Sequence, residues 1–175
     1  MNRKIVLYIA QSLDGYIARK DDTLDWLFKA EGEGDNGYSV FYDTIDTILI
    51  GRRTYDWIMD HEKDKFPYEN KSCYVFSRSK HQDFGNVQFV SEDVATFTNR
   101  LKAQDGKDIW IVGGGELLLS FIKEKLIDEL YITIAPTIIG SGIPLFLEEN
   151  YELDLILQDV RRYNQFAELH YTVKK

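Results

Sequence analysis

The sequence predicts an α/β fold with a mostly parallel central sheet that closes in an antiparallel C-terminal hairpin. Two observations predict it. Apolar runs of strand length alternate, along residues 4–135, with segments whose apolar positions repeat at helical spacing, as in strands joined by crossover helices. The alternation then stops: two β-rich runs, 155–160 and 167–173, are separated only by residues 161–166, too short a connection for a crossover and suited to a hairpin.

Taken in order, the first strand is read at 4–10. The second, 46–50 (Asp-Thr-Ile-Leu-Ile), is closed by Gly51. Strands follow at 72–76, 87–90, 108–112 and 128–135, each a short apolar or β-branched run. Helices fill the gaps. Short ones are read at 39–44 and 53–59. A longer one at 93–104 carries Val94, Phe97 and Leu101 on one face, and another at 116–125 does the same with Leu117, Leu118, Phe121 and Ile122. The stretches 29–37 and 60–70 are polar and loop-like, and too short to link domains. With 175 residues, the chain 1–175 is expected to form one domain.

Composition narrows the function classes. The net charge of −8 is the reverse of what neutralising a phosphate backbone requires, so no nucleic-acid partner is expected. It leaves room for a nucleotide, whose phosphates need only a few local donors. Cys73 is the only cysteine, which excludes an internal disulfide and a multi-thiolate metal site; within Ser72-Cys73-Tyr74-Val75-Phe76 it reads as a buried, inert thiol. His61, His81 and His170 are scattered without metal-ligand spacing and read as surface or packing residues, so no metal is expected. No apolar run approaches the ~18 residues of a membrane span, nor a signal-peptide core, and the expectation is a soluble, cytoplasmic protein with no membrane partner.

Three strand ends carry candidate chemistry. Gly113, Gly114 and Gly115 stand between a strand and a helix, where glycine lets backbone approach a ligand and the helix N-terminus suits a pyrophosphate. A tight turn without a ligand reads equally from the same residues. Neither the dinucleotide fingerprint G-x-G-x-x-G nor a P-loop lysine is present. Gly51-Arg52-Arg53-Thr54 repeats the context with two guanidiniums and a hydroxyl, and Phe76-Ser77-Arg78-Ser79-Lys80 ends the third strand with hydroxyls and cations able to grip a phosphomonoester. In open α/β sheets ligands lie beyond the carboxyl ends of the strands, so the three clusters are expected to share one crevice. Asp14, before Gly15 at the end of the first strand, is either a turn aspartate or a carboxylate facing that crevice. Trp26 is either a pocket wall or a core residue.

The ordered set of motifs resembles the dihydrofolate reductase superfamily, and more closely the C-terminal reductase domain of the bifunctional riboflavin-biosynthesis deaminase/reductase. The matching pieces are Ala10-Gln11-Ser12-Leu13-Asp14-Gly15, Gly51-Arg52-Arg53-Thr54-Tyr55 and Phe76-Ser77-Arg78-Ser79. They continue with Ile111-Val112-Gly113-Gly114-Gly115-Glu116-Leu117-Leu118, and with the run from Ala135-Pro136 through Gly140-Ser141-Gly142 to Phe146. The resemblance implies a three-layer, dihydrofolate-reductase-like fold and NADPH as cofactor. It implies contacts from Ala10, from Gly51, Arg52, Arg53 and Thr54, and from Ser77, Arg78 and Ser79. Val112, Gly113, Gly114, Gly115, Glu116 and Leu117 would pass close to the cofactor, often with a cis peptide between two of the glycines. Dihydrofolate reductases carry a substrate-binding acid in the helix after the tryptophan; aligning Trp26 brings Glu31 to that slot, in a Gly32-Glu33-Gly34 context unlike a helix. The single cysteine cannot supply the zinc deaminase domain, so only the reductase half is implied.

The expected activity is hydride transfer from NADPH to a C=N or C=O bond of a small heterocycle, of pterin or aminopyrimidine-riboside type, with Asp14 assisting proton delivery. The alternatives are a catalytically silent NADP(H)-binding module and a purely structural domain whose glycines are turns. The expected partners are a small-molecule substrate and a second copy of the chain, with the apolar run 130–139 as either the homodimer contact or a buried strand.

Overall fold

A computed structural model of the chain describes residues 2–62, 66–79 and 81–175. Part of the polar stretch 60–70, and Lys80 of the third-strand cluster, lie outside the described residues. In chain order the elements are β1 (Ile5–Ser12), β2 (Tyr16–Ala18), α1 (Asp25–Phe28), α2 (Tyr38–Tyr42), β3 (Ile45–Gly51), α3 (Arg52–His61), β4 (Ser72–Phe76) and β5 (Val87–Val90). Then come α4 (Val94–Lys102), β6 (Asp108–Gly113), α5 (Gly115–Lys123), β7 (Glu129–Ala135), β8 (Ile143–Pro144), β9 (Leu155–Tyr163) and β10 (Phe166–Val173).

Eight strands form one sheet in the order β5-β4-β3-β6-β1-β7-β10-β9. From β5 to β7 all pairings are parallel, and β10 joins β7 and β9 antiparallel. The central strands read as near-continuous apolar runs because helices cover both faces. Ile5 and Leu7 of β1 pack with Leu49, Ile111 and the α4 and α5 residues Phe97, Leu118 and Phe121. Val6 packs on the opposite face with Ile48, Val75 and Trp110, against Phe41 of α2 and Tyr55 of α3. These are the three layers that the resemblance implies. The α5 stripe Leu117, Leu118, Phe121 and Ile122 is buried throughout, each such side chain contributing about 1.5–3 kcal/mol. Asp93 caps α4, its carboxylate accepting the Thr96 N–H at 2.9 Å.

Two differences from the sequence reading, and the settling of one alternative it left open, have physical causes. The hairpin is tighter and its strands longer than 155–160 and 167–173: β9 runs to Tyr163 and β10 starts at Phe166, across a two-residue turn in which Asn164 takes φ +54°. Asparagine tolerates that left-handed conformation. The β2–β8 ribbon escapes periodicity because its strands have three and two residues. Gly142 permits it, since a Cβ there would meet the Ala18 carbonyl at 2.3 Å. The apolar run 130–139 holds most of β7, which lies between β1 and β10, so it reads as the buried strand.

Charged groups close the amino ends of the strands. Arg3, 5% exposed, pairs with Asp46 and donates to Thr47 Oγ1 at 2.6 Å and the Lys107 carbonyl at 2.6 Å. Lys102 meets Asp128 at 2.8 Å. The carboxyl ends carry the glycine turns instead. Cys73 is buried and free, and burial pushes its thiol up to about 12. Among the described residues, no helix is long and apolar enough to cross a membrane.

Candidate functional site

The three strand-end clusters meet. β4, β3 and β6 are neighbours in the sheet, so their carboxyl ends stand side by side. Helix α3 starts directly from Gly51 and α5 directly from Gly114, and neither N-cap residue contributes a side-chain hydrogen bond. The first-turn N–H groups of two helices therefore remain available to an anion, with both helix dipoles adding partial positive charge. The two turns touch: a Cβ on Gly51 would lie 3.3 Å from the Gly114 nitrogen and 3.4 Å from the Gly113 oxygen, and one on Gly114 would lie 3.2 Å from Thr54 Oγ1. The Gly113–Gly114 peptide is cis.

Arg52 links this double turn to the end of β4. Its Nη1 donates to Ser77 Oγ at 3.4 Å, its Nε pairs with Asp56 at 2.8 Å, and its guanidinium lies 5.6 Å from the centre of the Phe89 ring. Ser77 Oγ lies 3.3 Å from Ser79 Oγ, which lies 2.7 Å from His81 Nε2. His81 thus joins the hydroxyl cluster, which the sequence alone did not suggest; its position two residues past Ser79 is the only local signal. Arg78 and Glu116 are exposed, Leu117 is buried, and Ala10 and Val112 are half-buried. Arg53 pairs with Asp22, in the loop between β2 and α1, at 3.0 Å.

Asp14 has an ordering task. Its carboxylate accepts the Ser12 hydroxyl at 2.6 Å, the Gly140 N–H at 2.8 Å and the Ile139 N–H at 3.2 Å. The Ser12 hydrogen bond foremost, opposed by desolvation and aided by the Gly140 and Ile139 amides, holds its carboxyl below the usual range. Asp14 therefore fixes the loop after β7 as an ionised carboxylate. Because its pKa is lowered on folding, this contribution is complete above the ordinary carboxylate range and is lost as pH falls through the lowered value. Faster amide exchange at Ile139 and Gly140 in Asp14→Asn, measured at neutral pH, is the expected outcome; unchanged exchange would remove the ordering role.

Trp26 is fully enclosed, packed with Ala135 and Phe166 and flanked by Leu24, Leu27, Ala30, Ile139 and Tyr163. Its Nε1 has no hydrogen-bond partner among the described residues. The Glu31 side chain is exposed, while its carbonyl accepts the Gln165 N–H at 3.0 Å. The two substrate candidates therefore occupy different settings, one within the core and one at the surface. Between α1 and α2 the chain crosses the sheet face that carries Tyr8: the Asn36 carbonyl accepts the Tyr8 hydroxyl at 3.5 Å, and Phe41 stacks on the Tyr8 ring at 4.0 Å between centroids.

A sequence profile of the RibD C-terminal domain matches residues 3–167. The uncharacterized Bacillus subtilis (strain 168) protein YwjB is 51% identical over 176 residues, covering 98% of each chain. A second uncharacterized protein of that organism, YyaP, is 33% identical over 172 residues, covering 93% of this chain and 90% of its own. Among solved structures, a protein of Shewanella sp. PV-4 provisionally described as a riboflavin biosynthesis protein superposes over the whole of both chains, with a TM-score of 0.88 and 30% identity. Acinetobacter baumannii RibD matches 99% of this chain and 58% of its own length, with a TM-score of 0.76 at 18% identity, a likeness of fold alone.

Proposed function

The chain belongs to the RibD C-terminal domain family, and we propose that it is an NADPH-dependent reductase. The hydride acceptor would be a C=N or C=O bond of a small heterocycle, of pterin or aminopyrimidine-riboside type. The observation that carries this reading is the pair of helix N-termini, without side-chain caps, that adjoin through Gly51 and Gly114 at neighbouring strand ends. That arrangement fits a dinucleotide's pyrophosphate. Arg52, Ser77, Arg78 and Ser79 supply donors for a further phosphate, the group that distinguishes NADPH from NADH.

When bound, the dihydronicotinamide supplies a hydride. The chain's own work is binding, alignment and water exclusion. Gly113 and Gly114 leave the end of β6 without side chains, so a planar ring can approach the backbone there. The segment between α1 and α2 crosses the sheet face at Tyr8, whose hydroxyl donates to the Asn36 carbonyl, and would limit water there. Asp14 orders the loop of Ile139 and Gly140 and is a positioning residue in this account. The test is acceptor-dependent consumption of NADPH by the purified protein, with pterins and aminopyrimidine ribosides as acceptors. Consumption with one acceptor class and not the other identifies the substrate. NADPH binding without turnover of any acceptor would favour the catalytically silent module.

The reading extends to a homodimer and to a cytoplasmic setting, where NADPH and a reduced Cys73 are both at home. β9 is the sheet's edge, and Leu155, Ile156, Leu157 and Val160 on it are 40–56% exposed. A long, apolar, uncovered edge strand is a template for pairing with another chain. Val160→Lys is expected to shift the protein from dimer to monomer in sedimentation velocity while leaving its melting temperature nearly unchanged. A wild-type protein that sediments as a monomer would exclude the dimer.

A further inference from the structure

Among the described residues, the carboxyl-terminal end of the sheet carries one buried acid that has no part in holding NADPH, Glu168. Ala10 of β1, Thr133 of β7, Glu168 of β10 and Arg161 of β9 form one row across four strands, each paired with the next. Glu168 is 4% exposed. Its carboxylate accepts one hydrogen bond among the described residues, from Thr133 Oγ1 at 3.5 Å. A buried carboxylate has room for about four such bonds, and buried acids are ordinarily paired. The obvious partner is turned elsewhere: Arg161, directly across the strand pair, places its Nε 2.8 Å from Asp159. Burial raises the Glu168 pKa above the ordinary range, against weaker pulls from Arg161 and the Thr133 hydroxyl.

The surroundings suit a flat ring. Tyr8 precedes Ala10 by two residues on β1 and so shares its face. Tyr131 stands in the same relation to Thr133, and both phenols are half-buried. Burial, and after it the charge of Glu168, holds the Tyr8 phenol above its ordinary range. The row lies between two packed groups: Trp26, Ala135 and Phe166, where β7 ends and β10 begins, and Tyr8, Phe41 and Trp110 below. Two strand spacings, about 10 Å, separate Ala10 from Glu168, comparable to the span of a two-ring heterocycle. Ala10 also lies beside the strand that ends in Gly113 and Gly114.

We propose that Glu168 is the residue that holds the acceptor ring, its carboxylate accepting two neighbouring N–H donors from a ring nitrogen and the exocyclic amine beside it. The ligand class is a planar cyclic amidine that carries a hydrogen on that ring nitrogen, such as a 2-aminopyrimidine protonated there, and the proposal rests on the reductase reading above. It moves the ring-holding acid from the segment after Trp26, where Glu31 is exposed, to the opposite wall on β10.

The test uses 2,4-diaminopyrimidine as the probe, titrated into the full-length protein saturated with NADPH. In Glu168→Gln its dissociation constant should rise about tenfold or more, the loss expected for a charge-assisted pair, while that of NADPH stays within about twofold of wild type. Unchanged probe affinity in a folded Glu168→Gln protein would overturn the assignment, as would no probe binding to a wild-type protein that binds NADPH. A protein that fails to bind NADPH sinks the reductase reading instead. Should the variant not fold, wild type alone decides. It should prefer 2,4-diaminopyrimidine to 1,3-diaminobenzene, which has the same outline without the ring nitrogens, by about tenfold; equal affinities would contradict the proposal.

Discussion

Trp26→Ala should destabilise the protein by about 3–5 kcal/mol, the usual cost of emptying a fully buried tryptophan site. For a chain of this size that is a fall in melting temperature of about 6–20 °C. Trp26 is the largest fully buried side chain and ties three separate parts of the chain together: α1, the end of β7 at Ala135, and the start of β10 at Phe166. Trp26→Phe should keep most of the stability, because it retains a ring and removes an indole N–H that has no partner among the described residues. The measurement is thermal and urea unfolding of the three proteins, with NADPH affinity as a control that should change little. A small loss in Trp26→Ala, accompanied by a large loss of substrate affinity, would instead make Trp26 a pocket wall.

Gly51→Val should act at the other end of this balance, on binding. The first added carbon would already lie 3.3 Å from the Gly114 nitrogen, 3.4 Å from the Gly113 oxygen and 3.6 Å from Leu117 Cβ. The nearest two are backbone atoms, so relief requires moving the turn itself rather than a flexible side-chain tip. Overpacking of this kind costs about 1–3 kcal/mol, and here it falls on the two helix N-termini assigned to the pyrophosphate. NADPH affinity should drop by about tenfold to a hundredfold. The protein should remain folded, since a cost of that size is smaller than the roughly 5–15 kcal/mol by which domains are stable. Retained affinity would mean that the double turn does not hold the nucleotide.

These two residues also show what a sequence displays and what it conceals. The convergence of Gly51, Ser77 and Gly113 is legible because each stands at the end of a short apolar run, and parallel strands bring such ends together. The α5 stripe is legible for the same local reason. Trp26 is not: whether it walls a pocket or fills a core depends on Ala135 and Phe166, far along the chain. Asp14 reads as a turn residue or as an acid, and its engagement with Gly140, 126 residues away, follows only from the fold. Glu168 is concealed most fully. In the alternating run from Phe166 to Val173 a glutamate looks like a solvent-facing position, and only the register with Thr133, 35 residues earlier, turns it inward. The β2–β8 ribbon, with strands of three and two residues, carries no periodicity to detect.

The central claim is most directly tested by titrating the purified protein with NADPH and, separately, with NADH, following tryptophan fluorescence. Trp110, on the strand that ends at Gly113 and 5% exposed, is placed to report through the ring packing around Tyr8 and Phe41. The account predicts saturable binding of NADPH and weaker binding of NADH. Arg78→Ala should erase most of that difference, lowering NADPH affinity by about tenfold or more, the value of a charge-assisted contact to phosphate. Binding of neither nucleotide would contradict the account.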